Sequence, residues 1–425
     1  MKFSRAARRV GGSVTALAIG TLLAAAASAN ADTYPVADTG QFQSAVASAN
    51  ASIGVPDVIQ LAPGATFSPD ATVQILDDLT IRGNPQLQQG LNEPPTIMQG
   101  AAIPPTNDFF RVADGVSLAL KGFQMQSGGD PEAPNIRVLG NLVVENMSIS
   151  GSNGDGIRTD PSAVGTPTVS IVNSTIHGNN RAAAVISSNA TLSMNYTTVT
   201  NNAGGGLTLD GAADIRNSII ALNTTSNCIG GTPGNGTYHV NYTTDTDVDQ
   251  LFSPGTGDCR FYDPTGTNNL TPANSASAVG LGAVFAQNGG PTRTRALTST
   301  STSRDSSDNT GCRTVDQRYF VRNDATCDRG AYEFGAARDT VFPTCTVSAV
   351  RNGPPKQQDV TVQDSGSGLE LIDNIVIDNG TVSVPTFSLG QRTPLVVTAT
   401  KTDQALKTRW SFNARDVAGN VTDCR

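Results

Sequence analysis

The chain has 425 residues with 28 Lys or Arg against 36 Asp or Glu, a formal net charge of −8. That balance argues against nucleic acid and against anionic membrane surfaces as partners. Only 15% of residues are charged and 5% aromatic, beside 43 glycines, which suits a β-solenoid better than a helical enzyme. The length allows two or three domains and a large core.

Residues 1–31 read as a secretory signal. Lys2, Arg5, Arg8 and Arg9 form the basic front, residues 14–27 the apolar middle, and Ala29-Asn30-Ala31 the small-residue cleavage site. Export then starts the mature chain at Asp32. Arg8-Arg9 raises the twin-arginine route, but Gly11-Gly12 stands where that signal wants bulky apolar residues, so ordinary export is expected. No later run approaches the ~20 apolar residues that cross a bilayer, so no membrane insertion is expected of the mature chain.

The stretch 39–50 places Phe42, Ala45, Val46 and Ala49 on one helical face, with Thr39 as its cap. A helix before strands can cover the open end of a solenoid, where apolar interior and unpaired strand edges would otherwise meet water. Asp57-Val-Ile-Gln-Leu and Leu79-Thr-Ile-Arg read as strands of the first coil, and Pro94-Pro95 and Pro104-Pro105 mark loops leaving the coils.

From residue 118 to 223 one pattern recurs, in which two branched apolar residues flank a polar one and a turn residue follows. Its turn markers are Gly122, Asn146, Asn173, Tyr196 and Asn217, spaced by 24, 27, 23 and 21 residues. A drifting period in the low twenties indicates a solenoid whose units cover one another's apolar faces. The apolar positions are Val, Ile, Met and Leu without preference, and the residues between are Gly, Asn, Thr and Ser, which make turns and short strands. That favours a parallel β-helix over a leucine-rich repeat. Asn146, Asn173 and Asn217 are expected to form an amide ladder at one corner, and Val144, Ile171, Met194 and Ile215 one stacked interior column.

The Phe-x-x-Ala-Val helix, the Asp-x-Ile-x-Leu strand and Leu-Thr-Ile-x-Gly resemble the start of secreted bacterial right-handed parallel β-helix proteins of the pectate-lyase-like superfamily. Further on, Asn227-Cys228-Ile-Gly, Cys259, Asn288-Gly-Gly-Pro-Thr292, Asp316-Gln317-Arg318 and Cys327-Asp-Arg-Gly-Ala-Tyr-Glu-Phe334 resemble the choice-of-anchor Q family. The resemblance covers roughly residues 33–335. It departs at Thr298 to Asp305 and at Tyr319, where that family usually has Gly. It implies pairing of Cys228 with Cys259 and of Cys312 with Cys327, and no known reaction.

Residues 338–343 form a hinge between two compositions, giving a β-helix domain at 32–337 and a second domain at 338–425. The second alternates apolar and polar residues in at least five short strands, the pattern of an immunoglobulin-type β-sandwich. Asp364-Ser-Gly-Ser-Gly-Leu and Asp416-Val-Ala-Gly-Asn resemble turns of bacterial immunoglobulin-like surface domains. All six cysteines, 228, 259, 312, 327, 345 and 424, lie in the second half. An exported chain with an even count forms disulfides, and sequential pairing is the economical arrangement. Metal ligation by cysteine is poorly supported, since no Cys-x-x-Cys occurs. A Cys345–Cys424 bridge would lower the entropy of the unfolded chain by roughly 4 kcal/mol.

The expected fold is therefore all-β: a right-handed parallel β-helix with an N-terminal capping helix, followed by an immunoglobulin-like sandwich. For chemistry, Asn153-Gly-Asp155-Gly resembles the acid-bearing turn of polygalacturonase-like hydrolases, with Asp160, His177 and Arg181 as the other groups in reach. Such enzymes need further carboxylates, and the next coil offers Arg181-Ala-Ala-Ala instead. Asp155 therefore reads first as a turn residue. Asp364 and Asp416, each in a glycine-containing turn, are the candidate calcium ligands; calcium is the one cofactor the sequence suggests. The Asn-x-Ser/Thr triplets follow from the repeat, and no glycans are assigned. The expected function is that of a secreted or cell-surface monomer that binds polysaccharide or surface glycan without catalysis. The alternative is a polysaccharide lyase or glycoside hydrolase working in the β-helix groove.

Overall fold

The computed structural model describes residues 31–83, 96–100, 107–126, 133–230, 238–241, 243–245, 267–270, 272–273, 275–322 and 326–425. The expected export signal up to residue 30, the two expected Pro-Pro loops and Cys259 lie outside the described residues. Residues 31–425 form one compact unit.

Among the described residues the solenoid has three parallel sheets of nine, seven and eight strands. Each coil gives one strand to each sheet, as in Asn141–Glu145 for the first, Ser148–Ser150 for the second and Ile157–Thr159 for the third. Alternation decides the faces: Leu142 and Val144 are buried while Val143 between them is exposed. Successive coils then pair in register, Val144 with Ile171, Ile171 with Met194 and Met194 with Ile215, so the expected column forms in the core. The helix Thr39–Ala49 buries Phe42, Ala45, Val46 and Ala49 in the same core beside Ile59, Leu61 and Phe67. Its cap is Asp38, whose side chain accepts from the Gln41 amide at 2.8 Å. Thr39 accepts instead from the Ser68 amide.

The corner after five consecutive first-sheet strands is one residue in the left-handed region: Gly122 at φ 70°, Asn146 at 55°, Asn173 at 45°, Tyr196 at 50° and Asn217 at 48°. Glycine and asparagine enter that region at least cost, which is why they recur there. These asparagines do not form the expected ladder. Asn146 and Asn173 donate outward to the carbonyls of Asp316 and Val315, at 3.4 and 2.9 Å. The amide ladder lies six residues further along each coil. Asn179 donates to Asn202, Asn202 to Asn223 and Asn223 to Asn227 at 2.9, 3.0 and 2.9 Å, all four fully buried.

The segment after the coils folds back over this first corner. The antiparallel pair Leu281–Ala286 and Thr294–Leu297 covers the second sheet. Residues 305–334 are fastened by buried charges: Arg318 donates twice to Asp316, at 2.6 and 2.8 Å, and Arg322 pairs with Glu333. The guanidinium of Arg318 sits 3.7 Å from the Tyr332 ring, and that of Arg322 lies 4.5 Å from the Tyr196 ring. The Asp-Gln-Arg and Cys-Asp-x-Gly-Ala-Tyr-Glu elements are therefore a clasp across the solenoid. Cys312 and Cys327 close it with a disulfide, Cα atoms 6.0 Å apart.

Beyond residue 343, two antiparallel sheets of four and three strands enclose a separate core of Val360, Val362, Leu369, Leu395, Val397 and Phe412. Two strands here carry little sequence signal, Gly380–Ser383 and Val421–Cys424. Cys345 and Cys424 join the two sheets, with Cα atoms 5.8 Å apart. One charge contact ties this part to the solenoid: Asp373, itself 3.5 Å from Arg415 of its own sheet, lies 3.9 Å from Arg82.

Candidate functional site

The third sheet carries Arg111, Arg137 and Arg158 in register on successive coils. Its acids are bound to these arginines one by one. Arg137 Nε donates to Asp108 at 2.7 Å, and Arg137 also lies 3.5 Å from Asp160. Arg158 Nε donates to Asp155 at 2.7 Å, and Asp155 also accepts the Ala182 amide at 3.0 Å, with 2% of its surface exposed. Asp160 accepts from the Ser162 amide and hydroxyl. Burial pushes Asp160 up, but those hydrogen bonds and the charges of Arg137 and Arg111 outweigh it and leave the carboxyl below its ordinary range. A general acid needs the opposite shift.

His177 and Arg181 do not join this group. His177 is on the second sheet, 7% exposed, stacked 3.9 Å beneath the Phe285 ring and within 3.2 Å of Ser148 Oγ. Burial, reinforced by Arg293 and Arg295, pushes its pKa down to about 4. A neutral imidazole under an aromatic lid packs the closing hairpin. Arg181 lies in the turn before the third sheet, its amide bonded to the Gly154 carbonyl at 3.1 Å.

On the exposed outer face of the first sheet, the column Ser170, Ser193, Asp214 and His239 runs across four coils in register. Thr168 and Thr191 flank it in the same shallow groove. Neighbouring parallel strands sit about 4.8 Å apart, so the groove presents a straight row of hydroxyls ending in an acid and an imidazole. Arg216 Nε donates to Asp214 at 2.8 Å. Sequence reading missed this column because its members are ordinary polar residues at the outward position of a strand; only the register aligns them.

At the far end Asp364 and Asp416 lie together, and a third acid joins them. Asp339, from the hinge, completes a set whose oxygens all lie within 4.8 Å of one another. Their exposures are 4%, 1% and 0% for Asp339, Asp364 and Asp416. Each turn folds on its own acid. Gly368 N–H donates to Asp364 at 2.6 Å, and the Asn420 amide and side chain both donate to Asp416 at 2.7 Å. Asp339 accepts from the Ser367 and Val341 amides. Burial and the neighbouring Asp364 and Asp339 charges push Asp416 up to about 8 against the pull of Asn420, and burial and Asp339 raise Asp364.

No curated protein matches the chain. Residues 127–247 match the family model described as "Right handed beta helix region", and the three-sheet solenoid to which the described strands of that stretch belong has that fold.

Proposed function

We propose that this is an exported bacterial β-helix protein that binds extracellular polysaccharide along the outer face of its first sheet. The observation that carries the reading is the exposed column Ser170, Ser193, Asp214 and His239, in register and flanked by Thr168 and Thr191. A linear polymer of hydroxyl groups is the ligand class that a straight row of hydrogen-bonding groups can follow from coil to coil. The pairing of Asp155 with Arg158 and of Asp160 with Arg137 supports binding without catalysis on the third sheet, because each carboxylate is already engaged by a guanidinium and the pKa of Asp160 is lowered, opposite to what a general acid needs. The clasp motif supports kinship with the choice-of-anchor Q family, and the two antiparallel sheets after residue 343 support an immunoglobulin-like module. The signal-like 1–31 stretch and the disulfides support export.

The second reading is a lyase or hydrolase in the same groove, favoured by one observation: Asp214 and His239 are register neighbours on adjacent coils. A glycan array, run beside reducing-sugar and unsaturated-product assays on pectin, polygalacturonate and alginate, separates the two. Binding that Ser193→Trp abolishes, with no product released, supports the proposal. Turnover that Asp214→Asn removes would establish the enzyme. Retention of every glycan by Ser193→Trp would remove this face from the binding site.

A further inference from the structure

The geometry points to a divalent-cation site, with calcium chemistry, formed by Asp339, Asp364 and Asp416 where the hinge enters the C-terminal sheets. The three carboxylates converge within 4.8 Å and are buried. The hydrogen bonds they accept come from neutral N–H groups of Val341, Ser367, Gly368 and Asn420. Neutral donors alone are a poor counterweight to three carboxylates gathered away from water. A second observation is independent of the clustering: Asp364 Oδ1 is buried and accepts no hydrogen bond, although Oδ2 of the same carboxylate accepts from Gly368. An orphaned carboxylate oxygen beside two other carboxylates is what a cation would satisfy.

The chemistry selects the ion. All donors are oxygen, which excludes the softer thiolate- and imidazole-seeking metals. Carboxylates brought together from three separate segments suit calcium, with its six to eight ligands and tolerant geometry, better than magnesium, which demands a near-octahedral shell. Affinities of about 10⁻⁴–10⁻³ M are typical of extracellular modules of this sort.

The site has a mechanical consequence. Asp339 belongs to the 338–343 hinge, Asp364 follows the strand Gln357–Gln363, and Asp416 ends the strand Arg409–Asp416. A bound cation therefore pins the hinge to both sheets of the C-terminal part and fixes how the solenoid hands over to it. Gly366 permits the approach, since a Cβ there would fall 2.3 Å from the oxygens of Asp339.

The test uses the full chain, stripped with EGTA and titrated with calcium chloride by calorimetry, with magnesium chloride as the control. Binding of one calcium, a rise in Tm of roughly 5 °C at 10 mM and protection of residues 338–343 from trypsin at Arg338 are expected. Asp364→Asn, which keeps the shape, should weaken binding about tenfold or more by removing a ligand charge, and it should abolish the Tm response. Since that variant could itself fold poorly, the wild-type titration stands alone: no calcium heat at 10 mM, or equal heats and equal Tm shifts with magnesium, overturns the assignment. Calcium binding unchanged in a folded Asp364→Asn would place the ion elsewhere and overturn it as well.

Discussion

The phenol of Tyr319 occupies the space a side chain at Gly122 would need: a Cβ on Gly122 would lie 2.5 Å from the Tyr319 hydroxyl oxygen. Gly122 is the corner of its coil at φ 70°, and Tyr319 is itself left-handed at φ 64°. The two residues are a matched pair. One gives up its side chain at the corner, and the other accepts a backbone cost to fill the gap, close to Arg82, Glu145 and Glu370.

Gly122→Ala should therefore destabilise by about 2–3 kcal/mol, from the left-handed backbone and from overpacking against the ring. Thermal melts of Gly122→Ala in wild-type and Tyr319→Gly backgrounds measure the coupling. The cost should fall by about half in the second background, leaving the backbone part. Equal costs in both would mean that the ring gives way freely.

The clasp is a pair of buried charges, so its loss is asymmetric. Glu333→Ala leaves the fully buried Arg322 guanidinium without its carboxylate and should cost about 3–5 kcal/mol. Arg322→Met with Glu333→Leu should recover most of that loss. Urea unfolding of the single and double variants decides it; a double variant weaker than the single would show that the charges, and not the packing, hold the segment.

In the amide ladder, Asn202→Ala removes one acceptor from Asn179 and one donor to Asn223, both inside the fold. About 3 kcal/mol of stability should go. Asn180→Ala, on the exposed neighbour, should change it by about 0.5 kcal/mol or less. Similar effects at the two positions would deny the ladder any special weight.

His177 gives a pH signature. In the fold its pKa is near 4, against 6.5 for the exposed side chain. The unfolded chain therefore takes up the proton first as pH falls. The contribution is complete above about pH 6.5 and is lost progressively down to pH 4, by at most about 3 kcal/mol. Asp328, pushed up to about 6 by burial, slopes the other way over the same window. Comparing wild type with His177→Gln cancels that background. The Tm gap between them should narrow from pH 7 to pH 4, and a constant gap would mean that His177 has the same pKa in the fold as in the unfolded chain.

Much of this molecule is local and so is legible in the chain. The corner residues recur because only a few residue types enter left-handed backbone cheaply, and the column Val144, Ile171, Met194 and Ile215 follows from two-residue alternation within each strand. The face of the helix Thr39–Ala49 belongs to the same class, whereas the Cys312–Cys327 and Cys345–Cys424 pairs, 15 and 79 residues apart, agree with sequential pairing of an even count. What only the tertiary structure decided is which polar groups meet. The ladder fell to Asn179, Asn202 and Asn223 because that corner turns its amides inward, whereas Asn146 and Asn173 face the clasp. His177 went under Phe285 because a later segment covers the second sheet, and Asp155 took Arg158, three residues on, as its partner. Asp339 reached Asp364 and Asp416 from 25 and 77 residues away in sequence. Sterics along a strand act between neighbours and repeat with the residues; a charge cluster depends on where three separate turns end, and no single stretch of sequence contains that.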